Sequence, residues 1–231
     1  MKVKCSLVIP LFNENKNIPY IIDNARKFIQ DGHELVLVNN GSKDDTKQTL
    51  EKIDITTNIK ILHIKKNIGF GYGVFKGLQI CNNSVIAYTH GDLQCDINDV
   101  LIGLEKIDTN TFLIKGKREG RKKSDILFTK LMTIFCMLLF KKKLKDIHAQ
   151  PNIFNRDLLK YFNNPPNDFS LDTYIYLLSK KHSLEIKRFE TNFKNRIHEK
   201  GSNDFFYQKI LTSFKEIISL MKLKRNHDIN Y

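Results

Sequence analysis

The chain is predicted to fold as an α/β domain, a mostly parallel sheet with helices on both faces, continued by a basic, helical C-terminal region. Three observations predict this. Short apolar runs alternate with helix-length segments through the first half. Each run is cut off by a cluster of Asn, Asp, Gly or Ser. The charge is divided: residues 1–114 carry 13 Lys/Arg and 13 Asp/Glu, while residues 115–231 carry the remaining 25 basic and 12 acidic residues.

Ser6–Leu11 is the first strand, ended by Asn13-Glu14-Asn15, and Ile18–Ile29 the first helix, with Pro19 tolerated in its opening turn. Leu35–Val38 is a buried strand stopped by Asn39-Asn40-Gly41-Ser42, after which Asp44-Asp45-Thr46 opens a helix with acids at its N-terminus. Ile59–Ile64 is a third strand, a helix follows Asn67-Ile68-Gly69-Phe70-Gly71 to about Ile80, and Ser84–Thr89 is a fourth strand. Ligands of such sheets sit beyond the carboxyl ends of the strands. The polar clusters at Asn13, Asn40 and Asp92 are therefore expected to converge there.

Beyond residue 114 the texture changes. Residues 115–145 hold 11 Lys/Arg against two acids, flanking an apolar helix over 126–140. A loop at Asn163–Asn167, a helix from Asp168 or Ser170 to Ser179, a strand over Leu184–Phe193, a loop over Ile197–Asn203 and a closing helix over 205–223 complete the order. Residues 1–114 and residues 115–231 are expected to form two halves of the chain.

At 231 residues the chain accommodates one large domain rather than two enzymes, and 41% apolar residues are enough for a sizeable core. Cys5, Cys81, Cys95 and Cys136 form no C-x-x-C pair, which fits a reducing cytosol rather than a disulfide scaffold or zinc site. The N-terminus has no signal-peptide core, and the 126–140 helix would reach only ~22 Å, short of the ~30 Å hydrocarbon layer. A cytoplasmic location is expected, peripheral on the inner face of the membrane. The net charge of +13 invites a nucleic-acid reading. No nucleic-acid motif is present, however, and the basic residues surround an apolar helix instead of interleaving with aromatics.

The segment Tyr88-Thr89-His90-Gly91-Asp92-Leu93-Gln94-Cys95-Asp96 carries the chemistry. A carboxylate just past a strand end, with an amide two residues on, can hold a hard divalent cation through oxygen, the remaining positions going to a diphosphate. The alternative is that Asp92 caps the following helix.

Val8-Ile9-Pro10-Leu11-Phe12-Asn13-Glu14, Leu37-Val38-Asn39-Asn40-Gly41-Ser42-Lys43-Asp44, Asn67-Ile68-Gly69 and Gly91-Asp92-Leu93-Gln94 occur in this order. Together they resemble the nucleotide-sugar half of family 2 glycosyltransferases, which have the Rossmann-like GT-A fold. The resemblance is to the dolichol-phosphate mannosyltransferase-like, polyprenyl-phosphate branch. It implies an inverting, metal-dependent hexosyltransferase of cell-envelope glycan synthesis, using Mg²⁺ or Mn²⁺, a nucleotide-sugar donor and a lipid-phosphate or glycan acceptor.

Residue by residue, the resemblance implies that Pro10, Phe12 and Glu14 line the base and ribose pocket, with Asn40 and Gly69 also on the nucleotide. Asp92 and Gln94 would bind metal and diphosphate. Lys117 and Arg118, after Gly116, match a segment placed near anionic phosphate, and Arg196 and Ser202 match a late segment that closes over the diphosphate. Two departures stand out. His90 replaces the first carboxylate of an aspartate-any-aspartate motif; it is either a metal ligand, better suited to Mn²⁺, or a hydrogen-bond donor behind the ligands. Asn39-Asn40 replaces an acidic pair, and amides still hydrogen-bond a base edge.

The acceptor decides whether a base is required. A sugar hydroxyl must lose a proton, whereas a polyprenyl phosphate is already anionic. Asp172 is the candidate base, its alternative being a first-turn helix acid. Asp146 and Gln150 are expected on the acceptor side. The 126–140 helix is expected to set Thr129, Lys130, Thr133 and Met137 on one narrow face and apolar residues on the rest. That pattern fits a membrane surface or a homodimer contact; the alternative is a core helix.

Overall fold

The computed structural model of the chain describes residues 3–54, 58–108, 112–121, 123–194 and 206–226. The strands are β1 (Cys5–Leu11), β2 (Glu34–Asn40), β3 (Ile59–Ile64), β4 (Val85–Tyr88), β5 (Phe112–Glu119), β6 (Asn152–Asn155) and β7 (Glu185–Asn192). The helices are α1 (Ile18–Gln30), α2 (Thr46–Glu51), α3 (Phe70–Gln79), α4 (Asp99–Leu104), α5 (Lys123–Phe140), α6 (Ser170–Lys181) and α7 (Phe206–Asn226). All seven strands form one sheet in the order β3-β2-β1-β4-β6-β5-β7.

Strands β1 to β4 pair in parallel, as do β5 and β7; only β6 is reversed, antiparallel to both β4 and β5. Every residue of β1 and β2 is buried, as a central parallel strand covered on both faces requires. Helices α1, α2 and α4 cover one face, where Ile18, Ile21, Ala25 and Phe28 of α1 pack on Leu7, Ile9 and Leu37. Helices α3, α5, α6 and α7 cover the other, around Val8, Val38, Ile86 and Tyr88. Gly77 lets α3 lie close on the sheet, since a Cβ there would stand 2.4 Å from Val8 Cγ1.

The predicted strands and helices of the first half are present with ends shifted by a few residues. Three elements were not anticipated: α4, β5 and β6. Strand β5 runs through residue 114, so the two halves share one sheet. Helix α5 exposes an apolar face, as expected, and departs from expectation in turning Thr133 inward. Thr133 is buried with Met132, Cys136 and Phe140, while Leu127, Leu131, Ile134 and Leu138 are exposed. The inward side of the helix thus mixes large apolar Met132 and Phe140 with small Thr133 and Cys136, and Lys130 faces out among the exposed apolar residues.

Candidate active site

The pairing directions bring the C-terminal ends of β1, β2, β3, β4, β5 and β7, and the start of β6, to one edge of the sheet. Pro10–Glu14, Asn39–Ser42, Asn67–Gly69, His90–Gln94, Lys117–Glu119 and Gln150 all meet there. In open parallel sheets this is where ligands bind.

On the β1–β2 side the loops are tied by side chains. Asn13 N donates to Ser42 Oγ (3.0 Å), Glu14 N to Thr46 Oγ1 (3.0 Å), and Lys43 N to Asn13 Oδ1 (2.8 Å). Asn40 is buried, and its Nδ2 donates to Gly69 O at 3.0 Å while its Oδ1 has no partner among the described residues. Buried acceptors are normally satisfied, so a ligand N–H at the edge is a fitting partner. Gly69 has a φ of 143° and abuts Asn167 O, and a side chain at Gly73 would strike the Asn40 amide. Phe12 is exposed, ready to face a ligand, while Pro10 is buried in the strand end.

The β4 turn is tightly folded against this side. Gly91 lies against Leu11 and Pro10 O, and Leu93 takes a φ of 57°, unusual for an aliphatic residue. Gln94 N donates to Asp92 Oδ1 at 3.2 Å, and Gln94 Nε2 donates to Lys194 O at 3.3 Å. The Gln94 amide oxygen and the Asp92 carboxylate are therefore the oxygen donors of this turn. One carboxylate, one amide and a ligand diphosphate suit Mg²⁺ or Mn²⁺, which commonly keeps waters and substrate oxygens in its shell. No group of three or more His, Cys, Asp or Glu gathers around a metal-sized gap among the described residues. His90 packs against Phe70 (4.8 Å between centroids) and Phe169 (6.0 Å), an aromatic setting rather than a ring of oxygens.

The β5–β7 side is cationic. Arg118 pairs with Asp146 through both nitrogens, and the guanidinium groups of Arg118 and Arg121 lie 5.7 and 5.8 Å from the Phe193 ring. Arg188 donates to Gly116 O at 3.1 Å and to Lys145 O. Burial works against ionising Asp146, but its hydrogen bond from Arg118 and the charges of Arg118, Arg121 and Arg188 outweigh it and hold its pKa below the usual carboxylate value. Asp146 is bonded to Arg118 and lies within the fields of Arg121 and Arg188. Lys117, alternating to the opposite face from Arg118, is exposed and paired with Glu119 and Glu190.

Beneath the edge lies a buried ionic network. Asp172 is fully enclosed: Tyr88 Oη donates to its Oδ1 at 2.5 Å, Gln150 Nε2 donates to Oδ2 at 3.4 Å, and His148 Nδ1 stands 3.5 Å away. His148 Nε2 meets Glu216 of α7. Burial disfavours the charged imidazole, yet Glu216 and Asp172 together raise its pKa to about 9. Burial lowers Lys115 to about 8; its ammonium contacts Asn152 and lies 5.6 Å from the Tyr176 ring. The Asp172 side chain has an exposure of 0%.

The structure thus brings Pro10, Phe12, Glu14, Asn40, Gly69, His90, Asp92, Gln94, Arg118 and Gln150 to one edge, with Asp172 below it. Arg196 and Ser202 lie outside the described residues. Arg121, Arg188, Lys115 and His148 were not singled out as site residues from the sequence. Arg188 sits in an ordinary alternating strand within a strongly basic half, and nothing local marks it.

The profile of glycosyl transferase family 2 matches residues 6–165, which contain all of these strand ends except that of β7. The chain belongs to glycosyl transferase family 2. Among similar family members is an uncharacterized protein of Methanocaldococcus jannaschii, 25% identical and aligned over 94% of this chain and 99% of that one. The dolichyl-phosphate beta-glucosyltransferase of Dictyostelium discoideum is 24% identical over 66% of this chain and 54% of its own. The prophage bactoprenol glucosyl transferase homolog of Escherichia coli K12 is 26% identical over 68% and 54%. The chain spans about half the length of these last two. Glucosyl-3-phosphoglycerate synthase from Mycobacterium tuberculosis, solved with Mn²⁺, UDP and glucosyl-3-phosphoglycerate, superposes with a TM-score of 0.68 at 15% identity, over 93% of this chain and 80% of that one. The family 2 enzyme therefore has the GT-A fold.

Proposed function

We propose that this family 2 glycosyltransferase moves a sugar, with inversion, from a nucleoside-diphosphate donor to a polyprenyl phosphate in cell-envelope glycan synthesis. The observation that carries the reading is the meeting, at one sheet edge, of the Asp92–Gln94 turn with Arg118, which is paired with Asp146 and has Arg121 beside it on the Phe193 ring. The first suits a donor diphosphate and the second an anionic acceptor. The relatives named as polyprenyl-phosphate sugar transferases support the same acceptor class.

In this reading Pro10, Phe12, Glu14, Asn40 and Gly69 bind the nucleoside, the free Asn40 Oδ1 accepting from the base. Asp92 and Gln94 would hold Mg²⁺ or Mn²⁺, which when bound neutralises charge on the departing diphosphate. His90 shapes the pocket from within its aromatic cluster. Arg118, with Arg121 and Arg188, orients the acceptor phosphate, while the charge of Lys117 at the rim is taken up by Glu119 and Glu190. A phosphate oxygen attacks the anomeric carbon opposite the leaving group; the new C–O bond forms as the bond to diphosphate breaks and its electron pair leaves with the nucleotide. Arg196 and Ser202 would close over that diphosphate.

No general base is needed, because the nucleophile is already anionic. Asp172 then acts as a positioning residue, holding Tyr88, Gln150 and His148 below the acceptor. The alternative of a hydroxyl acceptor with Asp172 as base conflicts with its enclosure. The enzyme would work peripherally at the inner face of the membrane; no described helix is long and apolar enough to cross one.

The test is a thermal-shift panel of nucleoside diphosphates and sugar nucleotides, with and without Mn²⁺, followed by transfer to a short, water-soluble polyprenyl phosphate. Cation-dependent stabilisation by one nucleotide and transfer to the phosphate are expected. No stabilisation by any nucleotide, or transfer to glycan hydroxyls alone, overturns the proposal.

A further inference from the structure

Helices α5 and α7 lie side by side with apolar residues facing outward on both. On α5 these are Ile126, Leu127, Leu131, Ile134 and Leu138, the last 74% exposed; on α7 they are Leu211, Phe214, Ile218 and Met221, with Phe214 60% exposed. The two stripes join across a groove between the helices, where Leu131 and Phe135 face Phe214 and Ile217. A continuous apolar surface of this extent is not left in water without a partner.

The charges around it identify the partner. Among the described residues of both helices, the exposed charged side chains are Lys130, Lys215, Lys222 and Arg225, and exposed Lys141 and Lys143 follow α5 directly. The two acids among the described residues of these helices, Asp125 and Glu216, are half-buried, Glu216 being turned to His148. A second copy docked through a two-fold axis would set one basic rim against another. An anionic bilayer accepts both the apolar stripes and the basic rim, each nearby Lys or Arg strengthening attachment about fivefold.

We infer that the outer faces of α5 and α7 form a single docking surface for an anionic bilayer, with both helices lying in the headgroup plane. The surface begins at the active-site edge. Arg121 donates to Asp125 O (3.1 Å) and Thr129 Oγ1 (2.6 Å) in the first turns of α5, and Ser219 of α7 donates to Asp168 Oδ2 (2.6 Å) just before α6. Docking therefore brings the Arg118–Arg121 cluster to headgroup level, where the phosphate of a lipid acceptor resides. This second step rests on the acceptor proposed above; the docking itself does not.

The experiment is co-sedimentation of the full chain with phosphatidylcholine vesicles, with and without phosphatidylglycerol, alongside the nucleotide thermal-shift panel. Binding to the anionic vesicles, weakened by salt, is expected. The double variant Leu138→Glu/Ile218→Glu, at two exposed positions, is expected to lose about tenfold or more in vesicle affinity. It should keep its melting temperature, its nucleotide-induced shift and its transfer to a water-soluble acceptor. Equal binding by variant and wild type, or no binding to anionic vesicles, overturns the inference. So does a solution dimer that the double variant dissolves, which assigns the face to a second copy. Vesicle binding without any nucleotide shift leaves docking standing and removes the donor reading, so the two failures are separable.

Discussion

The two sides of the crevice are built from different chemistry. On the β1–β2 side the loops are tied by hydrogen bonds, from backbone amides to the Ser42, Thr46 and Asn13 side chains and to the Asp44 carboxylate, and Asn40 Oδ1 has no partner among the described residues. On the β5–β7 side the contacts are ionic, with Arg118, Arg121, Arg188 and Lys115 set around Asp146 and Asp172. Hydrogen bonds give shape and direction to a base edge at modest cost, while clustered cations supply a field for an anion. Under the function proposed above, the contrast would separate a donor side that discriminates by pattern from an acceptor side that selects by charge.

Substitutions that affect one side and not the other sharpen this contrast. Asp92→Asn, at the boundary, should have the largest effect, lowering turnover on the order of 10³-fold and abolishing the dependence of nucleotide binding on Mn²⁺, as read by transfer assay and calorimetry. Arg118→Met should lower kcat/KM for the acceptor phosphate on the order of 10²-fold while leaving the nucleotide Kd unchanged; equal losses for both substrates would erase the distinction between the two sides. Asp172→Asn removes the counter-charge of buried Lys115 and His148 and should cost about 3–5 kcal/mol in denaturant unfolding. Turnover per folded molecule should stay within about tenfold of wild type.

The smallest effect is expected from pH. The pKa of His148 is raised on folding, from 6.5 to about 9, so its ion pairs contribute fully below pH ~6.5 and are lost as pH rises through about 9. Lys115, lowered to about 8, works in the opposite direction over part of that range, since losing its charge relieves its burial. The difference in stability between wild type and His148→Gln isolates the histidine. It should shrink by about 2–3 kcal/mol between pH 6 and 10, measured by urea unfolding.

The donor side was legible from the sequence because its information is local. Each of β1 to β4 is a short apolar run ended by polar residues, and those same residues become the site. The acceptor side was less legible. Lys115 marks an apparent end to the apolar run Phe112–Ile114, yet β5 continues to Glu119 because Asn152 and Asp172, distant in sequence, compensate the buried charge. Strand β6 has four residues and no turn residues of hairpin type beside it, which hid it. Asp172 reads locally as an acid in the first turn of a helix; its enclosure by Tyr88, Gln150 and His148 is a tertiary fact. In α5 the apolar residues outnumber the core positions available, and periodicity alone cannot choose which of them face inward.

The reversed strand β6 has a mechanical consequence. It is the spacer between two parallel blocks, and with strands about 4.8 Å apart it holds the tips of β4 and β5 roughly 10 Å from one another. Under the proposed function, this four-residue ribbon would set the distance between the Asp92–Gln94 turn after β4 and Arg118 on β5. Shortening or re-registering it would alter the reach of the reaction without touching any group that handles a substrate.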